Sequence, residues 1–320
     1  MPTFDDVLRA SAAVGNRLHR TPTFSSAALT ASTGARAFLK AELFQRTGSF
    51  KPRGILARIA SLTAEERSRG VITISAGNAA AAVAYGAAAE GIDALVVMAR
   101  GASPLKVAAT RAYGAAVDQE ASDVESAFAR VRELQARSGR AFVHPFDDAV
   151  VIAGHGSLGL ETVEDVPDLD VLVVPVGGGG LVSGVALAAK AVRPDVRIVA
   201  VEPEGSAALK LALEAGRPVA VTPESIADGL NAPVAGEICL AVCRALVDDA
   251  TTVSEREIRE AFRFLYLRAK LAAEPAGAAA TAALLAGKAG DVEGKTVVAL
   301  VSGGNVSART ASGILAEDEG

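Results

Sequence analysis

The sequence predicts an α/β protein built on mostly parallel sheets with helices on both faces. Two observations lead there. Short apolar runs alternate with longer alanine-rich helical patterns along the 320 residues, an order that builds parallel sheets. Three of those runs end in turns of glycine, serine, alanine and asparagine, at 75–78 (SAGN), 177–180 (GGGG) and 302–305 (SGGN). Open α/β sheets bind their ligands at such strand ends.

In chain order, strands are expected at 36–42, 70–75, 93–99, 170–176, 196–202 and 295–302. Most are short valine- and leucine-rich runs closed by turn residues, the mark of a strand buried on both faces. Helices are expected at 79–90, 123–138, 180–192 and 254–269, and the last opens with Ser254 and Glu257 at capping-box spacing. The stretch 171–189 carries no charge over 19 residues, long enough for a membrane span. Pro175 and four consecutive glycines would break its centre, so strand, loop and helix are expected there and no membrane partner. With no repeat, low-complexity tail or obvious linker, a second domain is expected as an insertion that the chain enters and leaves once. The chain ends soon after residue 305, and no appended regulatory domain is expected.

A formal charge of -5 with scattered basic residues, 4% aromatics and no tryptophan argue against a nucleic-acid partner. Cys239 and Cys243 sit four apart on an expected helix, where they suit core packing rather than a disulfide. They fit a reducing compartment, and the N-terminus lacks the basic and apolar regions of a signal peptide. A cytoplasmic protein is expected.

The chemistry is concentrated in four places. Gly177, Gly178, Gly179 and Gly180 lead from a strand into a helix, presenting free N–H groups and a helix dipole to an anion. Without the G-K-[ST] of a P-loop, a single phosphate is the simplest occupant. A second glycine motif, 154–159 (GHGSLG), formally matches the dinucleotide fingerprint, yet the strand that follows ends without an acidic residue for a ribose. Lys51 stands between Phe50 and Pro52 in TGSFKPRG, an amine placed to form a Schiff base. Asn78 and Ser302 close neighbouring strand ends. An amine, an anion cradle, and polar partners for a phenolic oxygen and a ring nitrogen together suit pyridoxal 5′-phosphate.

The ordered set TGSFKPRG, SAGN, PVGGGGLVSG, ESIADG, AEPAGA and SGGN resembles the fold-type-II pyridoxal-phosphate enzymes of the serine/threonine dehydratase (threonine ammonia-lyase) and serine racemase family, over nearly the whole chain. The resemblance implies two open, mostly parallel sheets of the tryptophan synthase β type, with a small domain (66–147) carrying the SAGN loop inserted in a larger cofactor domain (1–65 and 148–320). It implies that Lys51 carries the cofactor and Phe50 packs near its ring. Asn78 would bond the phenolic oxygen, the amides of 177–180 the phosphate, and Ser302 the pyridine nitrogen. Ser75, Ala76, Gly77, Asn78 and Ala79 would hold the substrate carboxylate, with His155 at the substrate. A neutral hydroxyl such as that of Ser302 leaves the ring a weaker electron sink, which suits prompt β-elimination. The implied activity is dehydration and deamination of L-threonine or L-serine to a 2-oxo acid and ammonia, by a homodimer. Alternatives are another 3-hydroxy amino acid (3-hydroxyaspartate or an aryl-serine), racemisation, β-replacement, or a silent cofactor carrier.

Departures from the family pattern redirect some expectations. Ala76 replaces the serine that serves racemases as the second acid–base group, which favours elimination. Ala79 replaces a frequent histidine, and His155 a glutamine. A family site for Mg²⁺ or Ca²⁺ would take Glu202 and the carbonyl of Ser206, but Ala208 stands where its aspartate is expected, leaving one carboxylate. Glu274 in AEPAGA is expected near the cofactor or as a helix-terminal carboxylate.

Overall fold

The structure is a computed structural model and describes residues 1–102 and 104–317. Among these residues ten strands form two sheets. They are β1 (Thr23–Ser25), β2 (Arg36–Ala41), β3 (Val71–Ile74), β4 (Ala94–Val97), β5 (Ala116–Asp118), β6 (Ala141–Phe142), β7 (Val171–Pro175), β8 (Arg197–Pro203), β9 (Asp249–Val253) and β10 (Thr296–Val301). The larger sheet has the order β1-β2-β10-β7-β8-β9 and the smaller β5-β4-β3-β6. Every pairing is parallel except β1 with β2. The chain leaves the larger sheet after β2, builds the smaller one from β3 to β6, and returns at β7.

The six expected strands are all present. The four that the pattern did not predict, β1, β5, β6 and β9, are the outer strands of the two sheets. The expected helix at 254–269 is Glu255–Phe264 continued by a π-helical turn, Leu265–Ala269, and its Ser254–Glu257 capping box is formed. The GHGSLG motif lies inside the helix Ala149–Asp165 rather than at a strand end. Its glycines admit close neighbours there. A Cβ at Gly154 would stand 2.5 Å from the Arg53 carbonyl, and one at Gly159 would stand 2.7 Å from that of Val185. The uncharged stretch 171–189 divides into β7, the glycine loop and the helix Gly180–Val192, and no helix among the described residues is long and apolar enough to cross a membrane.

Burial explains the continuous apolar runs. In the larger sheet Val171, Val173, Val199, Val201, Val297 and Ala299 pack into one core, while Leu172, Val174, Ile198, Ala200 and Val298 pack into another on the opposite face. Strand side chains alternate between faces, so a strand covered on both sides must be apolar at every position. Each such valine or leucine contributes roughly 1.5–3 kcal/mol by its burial. The helix Pro275–Leu285 (PAGAAATAALL) is buried almost all round against β10 and β7, and small side chains let it lie close to them. Cys239 and Cys243 are buried free thiols on the helix Glu237–Leu246, and burial pushes both thiols up, Cys243 to about 12.

Candidate active site

The strand ends of both sheets converge on a cavity of about 400 Å³. From the larger sheet it is lined by Phe50, Lys51, residues 177–180, Glu274 and Ser302, and from the smaller by residues 75–79. Lys106, Pro145, Phe146 and Asp228 complete the rim.

The glycine loop is pressed from both sides. A Cβ at Gly177 would stand 3.1 Å from the Leu230 Cα and one at Gly180 would stand 2.7 Å from the Phe146 carbonyl, while Gly179 holds φ at +96°. Only glycine lets the backbone run there. Among the described residues no carbonyl or side chain accepts the N–H groups of the four glycines. Four unclaimed donors at a helix N-terminus fit a phosphate.

Lys51 immediately precedes the helix Pro52–Ala60, whose first proline needs no donor. The turn before it is fixed by a bridge between Ser49 and Gly303 and by the Phe50 N–H, which donates to the Ser302 carbonyl at 3.0 Å. The lysine amine donates to the Pro145 carbonyl at 2.9 Å and lies 5.0 Å from the Phe50 ring centre. Burial lowers its pKa to about 8, against the opposing pull of Cys239 and Glu274. Two residues on, fully buried Arg53 ties this helix to its surroundings. Its guanidinium donates to both carboxylate oxygens of buried Glu42 at 2.7 and 2.8 Å and to both of Glu161 at 2.8 Å. Lys40, also fully buried, joins the group through Glu161 and Asp165. A doubly bidentate guanidinium is a rigid joint, and here it joins the turn directly after β2, the Lys51 helix and the helix Ala149–Asp165.

Asn78 opens the helix Asn78–Ala89. Its Nδ2 donates to Glu274 Oε1 at 2.7 Å and its Oδ1 accepts from Asn305 Nδ2 at 2.8 Å. Burial pushes the Glu274 carboxyl up to about 7, countered by the Asn78 hydrogen bond. Glu274 lines the cavity and is also the N-cap residue of the helix Pro275–Leu285, although its side chain makes no capping hydrogen bond. Ser75 accepts the Gly77 N–H on its hydroxyl at 3.1 Å, while the N–H groups of Ala76, Asn78 and Ala79 have no acceptor among the described residues.

Two expectations come out differently. His155 is fully buried one layer behind the cavity, its ring 4.9 Å from that of Phe50. It does not line the cavity, neither ring nitrogen has a partner, and burial lowers its pKa well below the usual value. The spacing of the sequence could not show this, because the helix carrying it faces Phe50 rather than the ligand space. Glu202 and Ser206 lie off the cavity as well. The Glu202 carboxylate accepts the N–H groups of Leu209 and Lys210 at 2.7 and 2.8 Å, and the Ser206 hydroxyl donates to the Leu230 carbonyl at 3.0 Å. Glu202 thus caps the helix Ala208–Ala215, in which Ala208 is fully buried. Among the described residues no cluster of three histidine, cysteine or carboxylate side chains is poised for a metal.

Sequence reasoning gave no role to Lys106, Asp228 or Asn305. Lys106 pairs with Asp228 across the rim of the cavity. Asp228 stood in the quoted ESIADG run and Asn305 in SGGN, so both had a signal without a function. Lys106 had none.

A family model described as pyridoxal-phosphate dependent enzyme matches residues 15–303. The chain is 42% identical over 307 residues to the L-threonine ammonia-lyase of Thermotoga maritima, covering 96% of this chain and 76% of that protein. It is 40% identical over 304 residues to the catabolic L-threonine dehydratase of Escherichia coli K12, covering 94% and 92%. The solved structure of maize serine racemase superposes with a TM-score of 0.93 at 38% identity, covering 97% of this chain and 95% of that one. The chain belongs to the pyridoxal-phosphate dependent enzymes and shares their fold type II.

Proposed function

We propose that the protein is an ammonia-lyase that dehydrates and deaminates L-threonine and L-serine to 2-oxo acids and ammonia. The observation that carries this reading is a lowered-pKa lysine amine sharing one cavity with an unclaimed cradle of backbone N–H groups. The names of the two dehydrating relatives, near 40% identity over most of the chain, support the substrate class.

Pyridoxal phosphate, when bound, supplies the electron sink for the substrate α-carbon. The protein does the rest. The N–H groups of Gly177, Gly178, Gly179 and Gly180 would hold the phosphate, Asn78 would meet the phenolic oxygen and Ser302 the ring nitrogen, and Phe50 would pack at the ring. The free N–H groups of the 75–79 loop bind the substrate carboxylate. Lys51 carries the cofactor at rest and takes the α-proton in its neutral form. With a pKa of about 8, roughly a tenth of the amine is neutral at pH 7, enough for a general base. The β-hydroxyl leaves with the equivalent of the α-proton as water, and a water then adds to the released enamine, freeing ammonia and the 2-oxo acid.

Residues 1–65 with 148–320 form the cofactor domain and 66–147 the smaller domain in this reading, and the protein works as a cytoplasmic homodimer. Buried free thiols support a reducing compartment. The Phe24–Phe44 edge pair, 41% and 49% exposed beside outer strand β1, supports a face covered by a second copy. Racemisation is the second reading, supported by the likeness to maize serine racemase, but Ala76 offers no proton at the loop. The test is 2-oxo acid release from L-threonine and from L-serine by the cofactor-saturated protein, with chiral analysis of remaining serine. Release with no D-serine is expected. No release from either substrate would defeat the reading.

A further inference from the structure

We propose that Asn305 is a positioning residue that decides which end of the Asn78 amide faces the cavity. The inference rests on the reading that Asn78 meets the cofactor. An asparagine amide can be turned end for end with little change of shape, so something must fix whether it offers a donor or an acceptor.

A one-way chain of hydrogen bonds does this. Thr47 sits in the left-handed region, φ +59° and ψ 12°, which directs its carbonyl at Asn305. That carbonyl can only accept, so the Asn305 atom 2.7 Å from it is Nδ2, the donor. The same Nδ2 reaches Asn78 at 2.8 Å, so its second hydrogen demands an acceptor, and Asn78 must turn its Oδ1 there. Nδ2 of Asn78 is left on the other side, where one hydrogen goes to Glu274 Oε1 at 2.7 Å and one remains for the cavity that Asn78 lines. The reversed amide would set nitrogen against nitrogen at Asn305 and oxygen against carboxylate at Glu274.

The local chain is built around this contact. Gly48 is left-handed at φ +74°, and a Cβ there would stand 2.5 Å from Asn305 Oδ1. The Gly304 N–H donates to the Gly48 carbonyl at 2.9 Å, pinning the two segments together next to the Ser49–Gly303 bridge. Glu274 is a less constant anchor. Burial and Asp228 raise its pKa to about 7, against Asn78, Lys106 and Lys51, so near neutrality its carboxyl can gain a proton and become a donor. Asn305 does not titrate.

The test compares Asn305→Asp with Asn305→Ala, and both with Asn78→Ala, by titrating pyridoxal phosphate into the cofactor-free protein and recording the visible band of the lysine-bound cofactor. Asn305 is exposed, so thermal melts should confirm that both variants at 305 keep the fold. The aspartate has the same shape but cannot donate. Asn305→Asp should weaken cofactor binding about tenfold, the equivalent of one lost hydrogen bond, and shift the band in the same sense as Asn78→Ala. Asn305→Ala should cost no more than about threefold, since water can donate in its place. A merely structural residue, holding the Thr47 carbonyl through Nδ2, predicts that Asn305→Asp lowers the melting temperature but leaves the band unshifted at saturating cofactor. That outcome, or a wild-type-like Asn305→Asp beside a defective Asn78→Ala, overturns the inference. A silent Asn78→Ala would overturn the reading of Asn78 and the inference with it.

Discussion

The two sheets bring glycine loops to the same cavity, yet they hold them in opposite ways. On the larger sheet, a Cβ at Gly177 or Gly180 would meet backbone within 3.1 Å, whereas a Cβ at Gly77 on the smaller sheet would meet nothing within 4 Å. The larger sheet has strands of five to seven residues apart from β1, and the smaller has strands of two to four. The larger side also anchors Lys51 through the Arg53 joint, with Glu42 fully buried beneath it. The smaller side reaches across the cavity through side chains, Asn78 to Glu274 and Asn305, and Lys106 to Asp228. In the proposed reading, one sheet is a rigid seat for the cofactor and the other presents a loop with room to adjust to a substrate.

The largest effect is expected on the rigid side. Lys51→Ala should lower kcat by about 10⁴-fold or more, since it removes both the cofactor attachment and the general base, with loss of the visible band of the bound cofactor. A variant that keeps both would remove Lys51 from the chemistry and with it the reason for a rigid seat.

Next comes Arg53→Met, which keeps an unbranched apolar stem and deletes the guanidinium. Glu42, with no exposure, would be left buried and unpaired, and breaking such a pair costs about 3–5 kcal/mol. Urea unfolding should show that loss in the midpoint. A loss below about 1 kcal/mol would mean that the joint is not what stiffens the larger side.

Glu202 adds a pH dependence that belongs to the larger side alone. Burial raises its carboxyl from 4.5 in the unfolded chain to about 7, against the two backbone N–H groups of its helix. The folded state therefore holds a proton that the unfolded state releases between those values. Its stabilising contribution is complete below about 4.5 and is lost as pH rises through about 7, a span of order 3 kcal/mol. Melting temperature should fall more steeply from pH 5 to pH 8 in the native protein than in Glu202→Gln. Equal slopes would show the carboxyl to be solvated.

The smallest effects test the contrast most directly. Gly180→Ala pushes a Cβ toward the Phe146 carbonyl, which should cost about 1–3 kcal/mol and weaken cofactor binding. Gly77→Ala enters open space at φ −141° and should stay within about 0.5 kcal/mol, leaving cofactor binding unchanged while altering KM. If both glycines respond alike in cofactor titrations, the two loops are equally constrained and the contrast fails.

What could be read in advance follows the same division. The strands β3, β4, β7, β8 and β10 lie inside their sheets, and burial on both faces wrote itself as unbroken apolar runs. The outer strands β1, β5, β6 and β9 face water along one edge and carry runs such as DATTV, which look like turns or loops. That Lys51, Asn78, Ser302 and the four glycines would share one cavity was legible because strand ends in parallel sheets gather ligands and because their motifs stand in a fixed order. His155 was misplaced because its position in the chain says nothing about which face of a helix meets the cavity. Glu202 was matched to a family cation site already short of its aspartate, because a carboxylate looks the same in sequence whether it holds a cation or two backbone N–H groups.

The sequence by itself therefore determined the class of fold, the parallel sheets and the glycine loop that feeds a helix, since each depends on local periodicity or on backbone that only glycine can follow. The tertiary structure alone decided the joint at Arg53, the Lys106–Asp228 pair and the chain from Thr47 through Asn305 to Asn78. These join residues separated by up to 258 positions, and neither periodicity nor spacing encodes which distant side chains a fold will bring within 3 Å.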